Sequence, residues 1–434
     1  MKILIVETVW MGGARYKFFQ KTLLTMFSIF PTLQARELAA ITPPQHKVLV
    51  INERYSRINF DTKYDVVLLN FVTSTAPRAY AIADQFRKKG VLVILSGFHA
   101  SGMPEEAKEH ADSVLVGRNE STWVTILKDI EQNQLQPFYH ASLYDPSVSL
   151  PPTNVTLPGF TMTGALEATR CCPYRCEFCP ETHIQSETLF YKRPIPEVIA
   201  EIKKIPQRIL MFYDASLTID PAYTKELFKQ MKGLQKRFFC NGNVDILAHD
   251  LELVQLSREA GCLAWLVGFE SVCQETLDTI GKRTNTVDDY AEAAQNIHNY
   301  HMVVIGDFIF GFDTDIPAVF EQTLKKIQEL NIDVVDFSIL TPFPGTALFK
   351  KLDSQGRILT KEWKLYNMGH AVFQPTHMTP KELEEGIRRI YNEFYTMSFT
   401  IKRIVRGLRF GIYPFFVIFA RNLVAMMSRR RLFE

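Results

Sequence analysis

Cys172, Cys176 and Cys179 stand at C-x3-C-x2-C spacing within the run Cys171-Cys172-Pro173-Tyr174-Arg175-Cys176-Glu177-Phe178-Cys179-Pro180. Thiolates are soft ligands that suit iron–sulfur clusters. In a [4Fe–4S] cubane, three cysteines leave one iron without a protein ligand, and an open metal position is where chemistry takes place. A structural zinc site needs a fourth ligand, usually from a second close pair. No second pair exists, and Cys171 reads as a small neighbour rather than a ligand. A disulfide framework is disfavoured: the start, MKILIVE, is too short for a signal peptide, and seven cysteines leave one odd. Cys240, Cys262 and Cys273 are widely spaced and read as small core residues.

The cysteine segment resembles the signature of the radical S-adenosylmethionine (radical SAM) superfamily. The resemblance implies a [4Fe–4S] cluster in the loop after the first strand of a partial (β/α)6 barrel. It implies SAM chelating the open iron and splitting reductively to a 5′-deoxyadenosyl radical that takes hydrogen from an unactivated carbon. Gly164–Arg170 fits the first strand, and Phe178 is the aromatic that the family packs near the adenine. Cys171 departs from the Gly common in relatives.

The elements that must position these groups follow from periodicity. Apolar runs at Arg208–Tyr213, Arg237–Asn241, Leu263–Phe269, Val303–Phe310 and Val334–Leu340 read as further strands. Helical patterns lie between them at Ile195–Ile205, Tyr223–Lys232, Asp250–Ala260, Val287–His298 and Ala318–Leu330. Active sites of β/α barrels sit at the strand carboxyl ends. At those ends the resemblance implies SAM contacts from Asp214 or Ser216 (amino group), and from Glu270 and Ser271 (ribose or amino acid part). The glycines Gly306 and Gly311 would let the backbone approach the adenine.

Residues 1–135 read as a doubly wound α/β domain: short apolar runs at 1–7, 47–52, 65–71, 91–96 and 113–116 alternate with helical patterns. Leu38–Pro44, Thr73–Ala81, Gly97–Ala107 and Gly117–Glu120 resemble the cobalamin-binding domain of one radical SAM subclass. That resemblance implies corrinoid contacts from Thr73, Ser74, Gly97, His99, Gly117 and Glu120, with His99 facing cobalt or hydrogen-bonding in its loop. Arg118 and Asn119 depart from the Gly-Glu-Gly-Glu common there, and no D-x-H-x-x-G motif for ligating cobalt is present. Residues 136–160, with Pro151-Pro152, read as a linker, and 161–350 as the barrel.

Residues 351–434 read as a helical C-terminal region. Trp363, Tyr366, Asn367 and His370 lie in a stretch similar to cobalamin-type radical SAM proteins that include hopanoid C-methylases; His370 is either an acid–base group or a structural histidine. Residues 401–434 hold eight basic residues against one acid, Glu434. Lys402, Arg406 and Arg409 lie at helical spacing, and Ile412–Ala420 is apolar but too short to span a bilayer. This tail reads as an interfacial segment at the inner face of the membrane of a cytoplasmic protein. Net charge is only +2 with 47% hydrophobic residues, so nothing points to nucleic acid.

These readings imply cobalamin-dependent C-methylation of a hydrophobic or lipid substrate, with electrons from a donor such as flavodoxin or ferredoxin. The alternatives are a radical SAM cyclase or rearrangement enzyme without corrinoid, and a membrane-bound, cluster-stabilised scaffold without turnover. A methylthiotransferase is disfavoured, because residues 1–170 contain no Cys for a second cluster.

Overall fold

The computed structural model describes residues 1–8, 33–53, 56–118, 120–141, 163–183 and 190–428. The N-terminal part is a parallel sheet of β1 (Lys2–Glu7), β2 (Lys47–Asn52), β3 (Val66–Asn70), β4 (Leu92–Ser96), β5 (Ser113–Val116) and β6 (Phe138–His140), in the order β2-β1-β3-β4-β5-β6. Its strands are almost unbroken apolar runs because helices cover both faces. Leu38, Trp123 and Leu127 pack on one face, and Ala79, Ala83 and Phe86 on the other.

Strand β6 corrects the expected start of the linker. Phe138, Tyr139 and His140 pair in register with Val114, Leu115 and Val116. Tyr139 is buried and donates a hydrogen bond to Asp129 at 2.6 Å. A three-residue edge strand following a proline shows too little alternation to be read from sequence. Residues 142–160 of the expected linker lie outside the described residues.

The second sheet contains β7 (Thr163–Leu166), while β8 (Thr169–Arg170) and β9 (Tyr191–Lys192) form a separate antiparallel ribbon. It continues with β10 (Ile209–Phe212), β11 (Arg237–Gly242), β12 (Cys262–Glu270), β13 (Val303–Phe310) and β14 (Val334–Ile339). The order β14-β13-β12-β11-β10-β7 is wholly parallel and left open, with β7 and β14 at its edges. The expected first strand therefore stops at Leu166. The buried Asp214 carboxylate accepts the N–H groups of Ala168 and Thr169 and turns the chain out of the ladder.

Alternation along the strands sends one side chain set outward to the helices and the other into the barrel. The inward set begins with an apolar layer that includes Met211, Phe239, Ala264, Val303 and Val334. Above it, nearer the strand carboxyl ends, stand Asn241, Glu270, Asp307 and Asp336.

The C-terminal helices Met397–Gly407 and Ile412–Ser428 form a hairpin against the barrel. Phe410 and Ile418 join the inner apolar layer. Arg403 is buried, donating to the Phe394 carbonyl and to Asn422. Arg406 and Arg421 bind Asp333 and Asp336, both on the barrel. The expected basic stripe is thus divided: Arg406 serves the barrel, while Lys402 and Arg409 are exposed. No helix among the described residues is long and apolar enough to cross a membrane.

Candidate functional site

Cys172, Cys176, Cys179 and Phe178 line a single cavity of about 270 Å³ at the carboxyl ends of the barrel strands. The cysteine loop is held from several sides. Cys179 N–H donates to the Cys176 carbonyl at 3.1 Å, and Glu177 N–H to the Ile280 carbonyl at 3.4 Å. Leu348 N–H donates back to the Glu177 carbonyl at 3.0 Å. Cys171 has φ 61°, a left-handed turn that starts the loop and that Gly adopts without strain. Burial pushes the Cys172 and Cys176 thiols up, and Cys179 to about 12. The donor set fits an iron–sulfur cluster: three thiols, no carboxylate among them, and open space in front. Among the described residues no three His, Cys, Asp or Glu side chains converge as on one metal ion. A cubane distributes its thiolates over separate irons, so its three cysteines need not converge as they would on a single ion.

Across the cavity, Lys282 Nζ binds Glu270 Oε1 at 2.9 Å. Burial opposes the ammonium, but Glu270, with the neighbouring Cys176, outweighs it and raises its pKa. Glu270 has φ 61°. The end of β12 is fixed by Asn285 Nδ2, which donates to the Gly268 and Phe269 carbonyls at 2.8 and 3.0 Å. Tyr290 Oη donates to the Phe269 carbonyl at 2.7 Å and to the Ser271 carbonyl at 2.9 Å. Burial and the two facing carboxylates Asp336 and Glu270 push Asp307 well up.

Of the residues expected at the SAM site, Phe178, Ser216 and Glu270 line the cavity. Phe178 meets Phe312 edge-on, with centroids 6.1 Å apart. Ser216 Oγ accepts from Thr218 N–H at 3.2 Å, so it also caps a turn. Four others, Asp214, Ser271, Gly306 and Gly311, do not line it. Asp214 is buried under Ala168 and Thr169, with Thr169 Oγ1 donating at 2.6 Å, and its carboxylate is occupied there. Ser271 is buried and accepts from Cys273 N–H at 3.1 Å. Gly306 gives room to the Phe269 ring, which a Cβ would meet at 3.1 Å. Gly311 has φ 106° and faces Leu383.

The glycine that opens the cavity is Gly268, where a Cβ would run into the Glu270 carboxylate and stand 3.2 Å from Lys282 Nζ. Lys282, Asn241, Asn243 and Asp307 also line the space and were not singled out from sequence. Inward alternation along β11 and β13 could have found Asn241 and Asp307. Lys282 follows a short helix and carried no such signal.

A second cavity, of about 260 Å³, lies at the carboxyl ends of the N-terminal strands. Thr8, Asn70, Gly97 and Arg118 line it from the sheet, and Glu181 and Tyr213 from the barrel. The order β2-β1-β3 makes this the topological switch point, where doubly wound sheets bind ligands. Gly97, with φ 103°, and Gly117, with φ 84°, line it. Asn70 Oδ1 is buried without a hydrogen-bond partner. That unanswered acceptor and the two glycine turns, with no histidine lining the cavity among the described residues, fit a corrinoid bound without a histidine ligand to cobalt.

Thr73, Ser74 and His99 do not line this cavity. Thr73 and Ser74 lie in the turn Thr73–Thr75. His99 is fully buried, its Nε2 3.3 Å from Glu106 Oε1. The same carboxylate accepts from Tyr80 Oη at 3.0 Å and from Trp363 Nε1 at 2.8 Å. His99 therefore belongs to a buried knot that ties the C-terminal segment to the N-terminal domain. The Glu120 side chain lies outside the described residues, as do residues 9–32 that follow β1. His370 Nδ1 lies 2.9 Å from Asn367 Oδ1 and lines neither cavity.

Buried charges join the two parts. Arg118 binds Glu37 at 2.7 Å and Glu167 at 2.8 Å, and Arg170 binds Glu37 at 2.9 Å and Glu167 at 3.3 Å.

Residues 166–327 match the profile of the Radical SAM superfamily. The bacteriochlorophyllide d C-12(1)-methyltransferase of Chlorobaculum tepidum is 29% identical over 79% of this chain and 77% of its own. The C-8(2)-methyltransferase of the same organism is 29% identical over 86% of this chain and 87% of its own. The fold is similar to TsrM from Kitasatospora setae, a radical S-adenosylmethionine methyltransferase solved with cobalamin and a [4Fe–4S] cluster. The TM-score is 0.70 at 13% identity, over 99% of each chain.

Proposed function

We propose that this chain, whose residues 166–327 match the Radical SAM superfamily and whose fold is similar to that of TsrM, is a cobalamin-dependent C-methyltransferase. The observation that carries the reading is a pair of cavities bordered by neighbouring residues of the cysteine segment. One is lined by the three cysteines with Glu270 and Lys282, the other lies at the switch point of the N-terminal sheet. Glu181, two residues after Cys179, lines the second cavity, so the cysteine loop borders both.

In this reading Cys172, Cys176 and Cys179 would hold a [4Fe–4S] cluster, the cavity in front of them would take SAM, and the N-terminal cavity would take a corrinoid. When bound, the cluster supplies an electron for splitting SAM and the corrinoid supplies a transferable methyl group. The chain's own residues bind, orient and shield. Glu270 accepts hydrogen bonds from ribose hydroxyls or an ammonium, and Lys282 fixes its rotamer and balances its charge. Ser216, Asn241 and Asn243 offer further polar contacts, and Phe178 an apolar wall. Gly97 and Gly117 let the N-terminal backbone approach the corrinoid, with Asn70 Oδ1 free to accept.

The substrate is a hydrophobic small molecule, the class to which the bacteriochlorophyllide of both relatives belongs. A substrate of that kind partitions to bilayers. The reading therefore includes peripheral attachment at the inner membrane face and a small electron carrier such as flavodoxin or ferredoxin.

The test is anaerobic purification from cells supplied with cobalamin, with iron and corrinoid quantified per chain. About four irons and one corrinoid are expected, and 5′-deoxyadenosine release on reduction with SAM. Cys176→Ala should abolish both iron retention and that release. Four irons without corrinoid would remove methylation and leave the cyclase or rearrangement alternative. Undiminished release from Cys176→Ala would remove the radical SAM site itself.

A further inference from the structure

The C-terminal hairpin has two faces, and the chain uses one of them. On the inner side Phe410 and Ile418 complete the barrel's apolar layer. On the outer side Met397, Ile401, Val405 and Leu408 recur at spacings of four, four and three, one face of a helix, and all are exposed. Ile412 and Phe416 continue the surface on the second helix. Exposure reaches 61% at Leu408 and 67% at Ile412. Most of the exposed large hydrophobic side chains among the described residues lie between Met397 and Phe419. A surface helix ordinarily turns its polar side to water. Here the water-facing side is apolar, and contiguous patches of this kind mark interaction sites.

Charge identifies the occupant. Residues 394–433 contain no Asp or Glu. Lys402 and Arg409 are exposed among the apolar side chains, and Lys402 Nζ lies 5.6 Å from the centroid of the Phe399 ring. A second copy on the same face would set these cations against their own kind, because a two-fold interface repeats one patch. No acid on the patch would answer them. An anionic bilayer answers both features: its acyl boundary accepts the aliphatic and aromatic groups, and its headgroups accept the cations.

We propose that the outer face of this hairpin, from Met397 to Phe419, docks the protein on anionic lipid. The inference rests on the reading of peripheral attachment and assigns it a surface. The docked element also reaches the chemistry. Arg421, on the second helix, binds Asp336 at 2.5 Å, and Asp336 pairs in register with Asp307, which lines the cluster cavity. Anchor and cavity therefore share a wall.

The test uses the full-length, cluster-loaded protein and two vesicle preparations: phosphatidylcholine alone, and phosphatidylcholine with phosphatidylglycerol. Sedimentation with the anionic vesicles and not the neutral ones is expected. Ile401→Glu/Val405→Glu should abolish it, and Lys402→Gln/Arg409→Gln should weaken partitioning roughly 30-fold. All four positions are exposed, so iron content and circular dichroism should match the parent protein. Failure of the parent protein to sediment with anionic vesicles overturns the proposal, as does full retention by Ile401→Glu/Val405→Glu. A lipid-free dimer seen by light scattering, lost in that variant while vesicles are ignored, gives the face to a second copy and also overturns it. Vesicle binding is read without turnover. A protein that docks but does not cleave SAM removes the radical reading alone, and one that cleaves SAM but does not dock removes the docking alone.

Discussion

Replacing Arg118 by Gln is expected to loosen the N-terminal sheet from the barrel. The Arg118 guanidinium reaches Glu37 at 2.7 Å and Glu167 at 2.8 Å, and the side chains of these two acids are only 5% and 6% exposed. Arg170 answers the same two carboxylates, so the cluster is formally neutral. The substitution leaves two carboxylates on one guanidinium where water hardly screens them. Removing one partner of a buried pair costs about 3–5 kcal/mol, because the other charge stays uncompensated. Arg170 keeps contact with both acids, so the lower end, about 3 kcal/mol, is expected. Urea unfolding by circular dichroism measures the loss. Hydrogen exchange locates it: Gln34–Ile41 should lose protection while Cys262–Glu270 keeps it. Adding Glu167→Gln restores neutrality and should recover part of the loss, as a double-mutant cycle would show. An Arg118→Gln protein that unfolds within about 0.5 kcal/mol of the parent, with unchanged exchange at Gln34–Ile41, would refute the claim that these charges hold the two parts together.

Gly268→Ala should keep its iron but bind SAM at least tenfold more weakly, because the new methyl displaces the Glu270 carboxylate; equilibrium dialysis against iron content separates the two. Asp315 gives a pH signature. Burial raises its carboxyl to about 6, against the hydrogen bonds from Gly311 and Phe312 N–H at 2.8 and 3.1 Å. Its folded value lies above the unfolded value of about 3.9, so the native state holds the proton more tightly. That contribution is full below about pH 4 and is lost as pH rises through about 6. Asp315→Asn should therefore flatten stability across this window and stabilise the protein at pH 7 by on the order of 2 kcal/mol, read from urea midpoints. A variant with the parent's pH slope would show that Asp315 does not titrate there.

Much of the architecture was legible because parallel strands buried on both faces must be largely apolar, and both sheets obey this apart from the polar residues facing the barrel cavity. The cysteine spacing was legible because ligation demands it locally. Side-chain roles at the strand ends were not. Asp214 and Glu270 look alike in sequence as acids after a strand, yet one is spent on the backbone of Ala168 and Thr169 and the other faces the cavity. The difference lies in where the chain turns after β7, a tertiary matter. Lys282 pairs with an acid 12 residues upstream across a short helix. Gly306 and Gly311 are required by the Phe269 ring and by Leu383, which no local pattern announces. The apolar tail was legible as unusual, but its division into a barrel-facing and an exposed side depends on Phe410 and Ile418 finding the inner layer.

The position of those two residues in the chain has a consequence for biogenesis. A ribosome delivers β7 through β14 long before residues 410 and 418 emerge, so the nascent barrel holds Met211, Phe239 and Val303 without their lid. An open-edged sheet with a wet apolar interior is the kind of species that aggregates or recruits chaperones. The last helices to be translated are thus the ones that release the barrel from that exposed state, and yield on expression should depend on the integrity of a segment that contributes none of the three cysteines.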